Sequence, residues 1–317
     1  ALGLANLIRV ALYRIGLRLG VHSVLRISSK VSNGPFFRPP DKLRTEPTRQ
    51  EWLFGIRLFA HHDMPKTGIP DWHKNHFSGA ISTQRNLPWH KIPDFQPSVG
   101  DIKTIWDLSR FDWVLAMAQR AASGDATELE RLNNWLADWM HNNPAYDGIN
   151  WKCGQEASIR VMHLATASFL LGQTEKPEQG LANLVETHLR RIAPTMNYAI
   201  GQSNNHGTSE AAALFIGGVW LSRNGVLVAE VWAQTGRKWL EERARALIFP
   251  DGSFSQYSVI YHRMVLDTYA LCESWRRHWQ LKPFSAQLQG RLGRAVTWLE
   301  SLVDNQSSDA ANLGAND

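Results

Sequence analysis

Cysteine is almost missing: two thiols, Cys153 and Cys272, stand in 317 residues, far apart and outside any CxxC pattern. That excludes a disulfide framework and argues against a thiolate zinc site, leaving two buried free thiols as the expectation and one bridge as the alternative. Long apolar runs are missing too. The N-terminal stretch ALGLANLIRVALYRIGLRLGVHSVLRI is interrupted by Arg9, Arg14, Arg18 and Arg26. It offers neither the unbroken core of a signal peptide nor the roughly 20 apolar residues of a spanning helix. Dense basic runs are also lacking: a net charge of +5 is spread along the chain, without a nucleic-acid-binding motif, so nucleic acid is not an expected partner. No strict repeat period is visible. With 44% hydrophobic and 20% charged residues, collagen and low-complexity disorder are excluded.

What the chain does have is tryptophan, 14 of them against 6 Tyr, an excess that calls for large flat surfaces. The N-terminus reads as a basic amphipathic helix with Leu4, Ile8, Leu12, Ile15 and Leu19 on one stripe. It is expected to pack as an edge helix, with membrane-surface binding as the alternative. Residues 27–100 are rich in Pro, Gly, Asn and Asp and read as loops, broken by RQEWLFGIRLFA (49–60), a strand or a short helix. From Asp101 helical patterns dominate, near 107–122, 127–141, 152–171, 178–198, 207–222, 224–247, 261–279 and 285–303. Asp125 is a candidate N-cap with Glu128 three residues on, and Leu129, Leu132, Leu136 and Trp139 form the apolar stripe that follows. Helix pairs on short turns make antiparallel neighbours, so the expected class is all-α, an α-solenoid or an (α/α) toroid. Residues 1–100 would then wrap a helical domain of residues 101–317.

Three clusters carry polar chemistry. In GQSNNHGTSE (201–210), polar residues open the apolar helix AAALFIGGVWL. Ser203 or Asn204 would cap it, and Asn205 and His206 would sit where helix N–H groups collect anions. In FPDGSFSQYSVIYHR (249–263), a Pro-Asp-Gly turn leads to Tyr261 and His262 at another helix start; Tyr261 could equally be a half-buried core aromatic. In INWKCGQEASIR (149–160), Glu156 and Arg160 stand four residues apart, as an ordinary helical ion pair or as the wall of a cleft. In an (α/α) toroid such helix ends line one mouth of the bundle.

WDLSRFDWVLAMA (106–118), NWKCGQEASIR (150–160), NNHGTSEAAALF (204–215) and FPDGSFSQYSVIYHRMVLD (249–267), in that order, resemble the α-helical N-terminal domain of the heparinase II/III-like polysaccharide lyases, a group with alginate lyases among its members. The 55-residue step from His206 to Tyr261 matches as well. The resemblance implies an incomplete (α/α) toroid, a β-sandwich domain expected after residue 317, and β-elimination at a uronic acid of an acidic polysaccharide. It implies Asn205 as neutraliser of the substrate carboxylate, Tyr261 as proton shuttle and His206 as the base on the other sugar face. Trp151, Glu156, Arg160, Asn204, His262 and Arg263 are the expected substrate-positioning residues. Trp151 is the preferred sugar platform, while Trp113, Trp135, Trp139, Trp239 and Trp298 are expected in the core. The chemistry needs neither metal nor cofactor. A bacterial periplasmic or secreted location is favoured, and a cytoplasmic one stays open. The alternatives are a non-catalytic acidic-glycan-binding or exopolysaccharide-biosynthesis module, and a toroid glycoside hydrolase recruiting two of Glu156, Glu210 and Asp251.

Overall fold

Apolar residues at three- and four-residue spacing, punctuated by Gly, Pro and capping side chains, dictate a succession of helices. The computed structural model describes residues 3–30, 33–44, 57–58, 62–63, 68–93, 96–307 and 309–314. Helix α1 spans Leu4–Arg18, followed by α2 (Lys103–Trp106), α3 (Asp112–Ala122), α4 (Ala126–Asn142), α5 (Gly154–Leu170) and α6 (Gln179–Ile192). Then come α7 (Met196–Gly201), α8 (Asn205–Arg223), α9 (Ala229–Leu247), α10 (Val259–His278) and α11 (Ala286–Glu300). Strands are two short antiparallel pairs: β1 (Arg57–Leu58) with β2 (His62–Asp63), and β3 (Val303–Asp304) with β4 (Asp309–Ala310). The all-α class read from the sequence holds. Of the 49–60 stretch, only Arg57 and Leu58 fall among the described residues.

Helix boundaries follow local chemistry. The Asp125 carboxylate accepts the Glu128 N–H at 3.1 Å, so the expected cap of α4 is present. The helix expected over 178–198 is divided: α6 stops at Ile192 and a 3-10 turn over Ala193–Thr195 precedes α7, because Pro194 lacks the N–H that a continuous helix requires. The helix expected from residue 107 starts at Asp112, since Phe111 takes a left-handed φ of 72° and ends the preceding 3-10 turn.

The chain divides into two compact units. One comprises Ala1–Leu25, Ala193–Val219 and Val228–Asp317; the other comprises Arg26–Ile192 and Trp220–Leu227. In the first unit α1 packs on α7, and α11 packs on both α9 and α10. Helices α8 and α9 approach so closely that a Cβ at Gly236 would overlap the backbone of Ala211 and Phe215. In the second unit α3 packs on α4 and α5, and α5 on α6. Residues 33–44 lie along these helices: the Asn133 amide accepts the Phe36 and Phe37 N–H groups at 2.7 and 3.0 Å and donates to the Phe37 carbonyl.

Tryptophan builds the core of the second unit. Trp72, Trp113 and Trp135 form a triangle with ring centroids 5.2–5.8 Å apart. Their neighbours Trp139 and Trp151 stand 5.8 Å apart. Indole N–H groups are satisfied: Trp72 donates to Asp138, Trp113 to the Leu108 carbonyl, Trp139 to Ser109 and Trp151 to the Asn143 carbonyl. Among the described residues no tryptophan is exposed, which assigns the excess to packing. Trp113, Trp135 and Trp139 are buried as expected, whereas Trp239 and Trp298 are half-buried. Cys153 and Cys272 are free; Cys272 is buried and Cys153 half-buried.

Candidate functional site

In the first unit one side chain joins the starts of α8 and α10. Ser203 adopts a left-handed φ of 52°, reversing the chain after α7. Asn204 then serves as the cap, its Oδ1 accepting the His206 N–H at 3.1 Å. A second helix-end donor, the Asn205 N–H, is taken by Gln256 Oε1 at 2.7 Å, from the loop leading into α10.

That loop is itself tightly set. The Phe249 N–H donates to the Ser253 carbonyl at 2.8 Å and the Gly252 N–H to the Phe249 carbonyl at 3.0 Å. Gly252 has φ 95°, and a Cβ there would overlap the Arg294 carbonyl, so only glycine fits. The Asp251 carboxylate accepts the Ser253 N–H and hydroxyl, bonds that hold it below its usual range. Ser258 caps α10, its Oγ accepting the Tyr261 N–H at 3.2 Å, which makes Tyr261 the third residue of that helix. Two of the three expected clusters are thereby linked, with Asn205 buried and His206 and Tyr261 half-buried.

Two residues that sequence reasoning missed complete this region. Gln256 carries no periodic or motif signal, because its role depends on a donor 51 residues away. Arg243 of α9 lies against the first turn of α8: a Cβ at Gly207 would stand 3.1 Å from Arg243 Cδ. Its guanidinium is buried and bonded through Nε to Glu242, while Nη1 has no hydrogen-bond partner among the described residues.

His262 and Arg263 have other work. His262 is buried, stacks on Trp298 at 4.7 Å and donates from Nε2 to the Ala295 carbonyl at 2.9 Å. Burial lowers its pKa. It ties α10 to α11 and offers no ring face to a substrate, which corrects the expected positioning role. Arg263 pairs with Asp309 at 2.9 Å and thereby lowers the Asp309 carboxyl.

The third cluster lies in the second unit and is consumed by packing. Trp151 is fully buried, so the expected sugar platform has no free face. Glu156 does not pair with Arg160. Its carboxylate receives a fork from Arg110, Nε at 2.8 Å and Nη2 at 3.0 Å. Burial acts against the Arg110 charge, but Glu156 and then Asp107 raise its pKa above the ordinary value. Arg160 is fully buried, donating to His188 Nε2 at 2.8 Å, the Asn150 carbonyl at 2.8 Å and the Ser109 carbonyl at 3.3 Å. Its guanidinium lies 5.1 and 5.4 Å from the Trp139 and Trp151 rings. Burial brings it down to about 9, so it remains charged at neutral pH. His188 Nδ1 meets the Leu184 carbonyl, which leaves Nε2 as the acceptor Arg160 needs; burial and then Arg160 push its pKa well down. Glu156, Arg160 and Trp151 are therefore structural residues of this unit. An open pocket in the same unit, lined by Ser29, Lys30, Asn33, Met140, His141 and Pro144, includes none of the expected site residues.

Comparison with known proteins places these elements in context. The family model described as Heparinase II/III N-terminus matches residues 63–302. No curated protein matches the chain. Among solved structures, heparinase III is similar with a TM-score of 0.53 at 15% identity, covering 80% of this chain and 42% of that one. The heparan sulfate lyase HepC from Pedobacter heparinus gives a TM-score of 0.48 at 20% identity, covering 75% of this chain and 37% of that one. The chain thus spans about two fifths of the length of these structures. The heparinase III likeness agrees with the incomplete helical toroid read from the sequence.

Proposed function

Since the chain belongs to the Heparinase II/III N-terminus family, we propose that it is the helical part of a lyase cleaving a uronic-acid-containing polysaccharide by β-elimination. The observation that carries this reading is the Asn205–Gln256 hydrogen bond, which fixes the start of α8 against the loop that delivers Tyr261.

Elimination begins with loss of the proton at C5, beside the uronate carboxylate. That proton is weakly acidic, because its removal adds negative charge next to an ionised group. A donor that binds the carboxylate lowers the barrier; one well-placed donor of this type contributes about 3 kcal/mol. The Asn205 amide supplies such a donor without adding a competing base. It stands at the first position of α8, where the helix dipole also favours an anion. His206 or Tyr261 takes the proton, according to the epimer at C5, and the C–H electron pair becomes the C4–C5 double bond. The C4–O bond breaks, its electron pair stays on the leaving oxygen, and the Tyr261 hydroxyl protonates that oxygen. A chain spanning two fifths of its solved relatives leaves room for further groups from the rest of a longer protein, including the β-sandwich expected to follow.

The hydrolase alternative needs two available carboxylates. Glu156 commits both oxygens to Arg110, which takes it out of that pair and leaves Glu210 and Asp251 as the remaining candidates. The deciding experiment offers the complete protein a panel of uronic-acid polysaccharides, alginate and glucuronan first, and follows absorbance near 235 nm. A rise is expected from the unsaturated product. New reducing ends without that absorbance would indicate hydrolysis, and binding without turnover would indicate a glycan-binding module.

A further inference from the structure

Helix α1 has two apolar faces, and the body of the first unit covers one. On the covered side Tyr13 stacks on Tyr198 of α7 at 4.0 Å, and Gly201 lies against Asn6, Arg9 and Val10. Leu4, Leu7, Ile8, Leu12, Ile15 and Leu19 occupy the opposite side, and all six are exposed, Leu4 at 75%, Leu12 at 66% and Leu19 at 70%. This reverses the expectation that the leucine stripe is the packed one. At 100° per residue the six cover an arc of about 140°, the width of a face that is normally buried.

The charge on this helix has one sign: Arg9, Arg14 and Arg18 are its charged residues, and no Asp or Glu falls within residues 1–25. Arg14 is exposed beside the stripe, and Arg18 is exposed within its edge, between Leu7 and Leu4. We propose that α1 is an interfacial anchor, laying its leucine face into a bilayer that contains anionic lipid. The acyl boundary takes the leucines while lipid phosphates meet the arginines, so one occupant satisfies both parts of the pattern. A second copy of the chain fits less well, since a two-fold contact through α1 sets arginines against arginines with no carboxylate to pair them. Spanning is excluded by length: 15 residues reach about 22 Å against a hydrocarbon core of about 30 Å. Among the described residues no helix is long and apolar enough to cross a membrane.

The test is co-sedimentation of the full chain with phosphatidylcholine vesicles, with and without 30% phosphatidylglycerol, chosen here as probes. Binding is expected only with the anionic lipid, and is expected to weaken when salt is raised. The double variant Leu12→Glu/Ile15→Glu alters exposed positions only. It is expected to keep the wild-type thermal melt and to bind at least tenfold more weakly. Arg14→Gln/Arg18→Gln is expected to weaken binding several-fold in low salt and little in high salt. Failure of the wild-type chain to sediment overturns the proposal, as does equal binding by the Glu variant. Light scattering that shows a dimer, broken by the same Glu pair without any vesicle binding, overturns it in favour of a second copy.

Discussion

The cluster at the start of α5 and the clusters at the starts of α8 and α10 look alike as strings: polar residues, a glycine nearby, an apolar helix behind. In the structure they have opposite fates. Around α5 the side chains point into protein, where Arg110 takes Glu156, and backbone carbonyls and His188 take Arg160. Around α8 and α10 the helix ends are satisfied by neighbours instead, by Asn204, Gln256 and Ser258, which leaves His206 and Tyr261 half-buried rather than enclosed. The difference teaches that spacing alone does not separate a buried polar network from a cluster left partly open. What separates the side chains is burial: Glu156 and Arg160 are enclosed, whereas His206 and Tyr261 are half-buried.

The contrast can be broken by experiment, and the largest effect is expected from the side proposed to carry the chemistry. In the complete protein, Tyr261→Phe should lower turnover by about 10²–10⁴-fold and leave the urea midpoint unchanged; loss of stability with activity retained would erase the distinction. Arg160→Ala should do the reverse, costing about 3–5 kcal/mol in urea unfolding because His188 and two carbonyls lose a charged donor in a buried site. A cost below about 1 kcal/mol would show that the α5 cluster is not a structural network.

The same network predicts a pH dependence. The folded state holds His188 neutral, whereas the unfolded chain titrates near 6.5. The unfolded state therefore binds protons first, and stability is lost as pH falls below about 6.5, by up to about 1.4 kcal/mol per pH unit from this group. Urea melts at pH 7.5, 6.5 and 5.5 measure the slope. His188→Gln should flatten it, and an unchanged slope would remove His188 from the account. The smallest effect is expected for Gln256→Ala, about 1 kcal/mol of stability. It sharpens the comparison if kcat falls by more than the stability loss, because the bond then positions Asn205 as well as holding the loop.

Much of this was legible in the chain. The cap at Asp125, the helix order and the polar openings of α8 and α10 all follow from local rules, since a cap and its donor lie within three residues. Pro194 was equally readable, and it divides α6 from α7. The destination of Arg160 was not, because Ser109 and His188 reach it from 51 and 28 residues away. Gln256 was hidden for the same reason. For α1 the apolar stripe was visible but its orientation was not. Tyr13 and Gly16 make the packed face by stacking and close fit, a mode that hydrophobic spacing does not register.

Gly236 bears on the proposed chemistry although it lies within the helix packing. It fixes how near α9 may come to Ala211 and Phe215, six and ten residues into α8. At 1.5 Å per residue that contact lies about 9–15 Å along a rigid rod from Asn205. A bulkier residue would therefore push on the rod midway and swing its tip, so purifying selection should act there as strongly as on the proposed site groups. Sequence surveys of relatives should find this position as constrained as a catalytic one, for reasons of leverage alone.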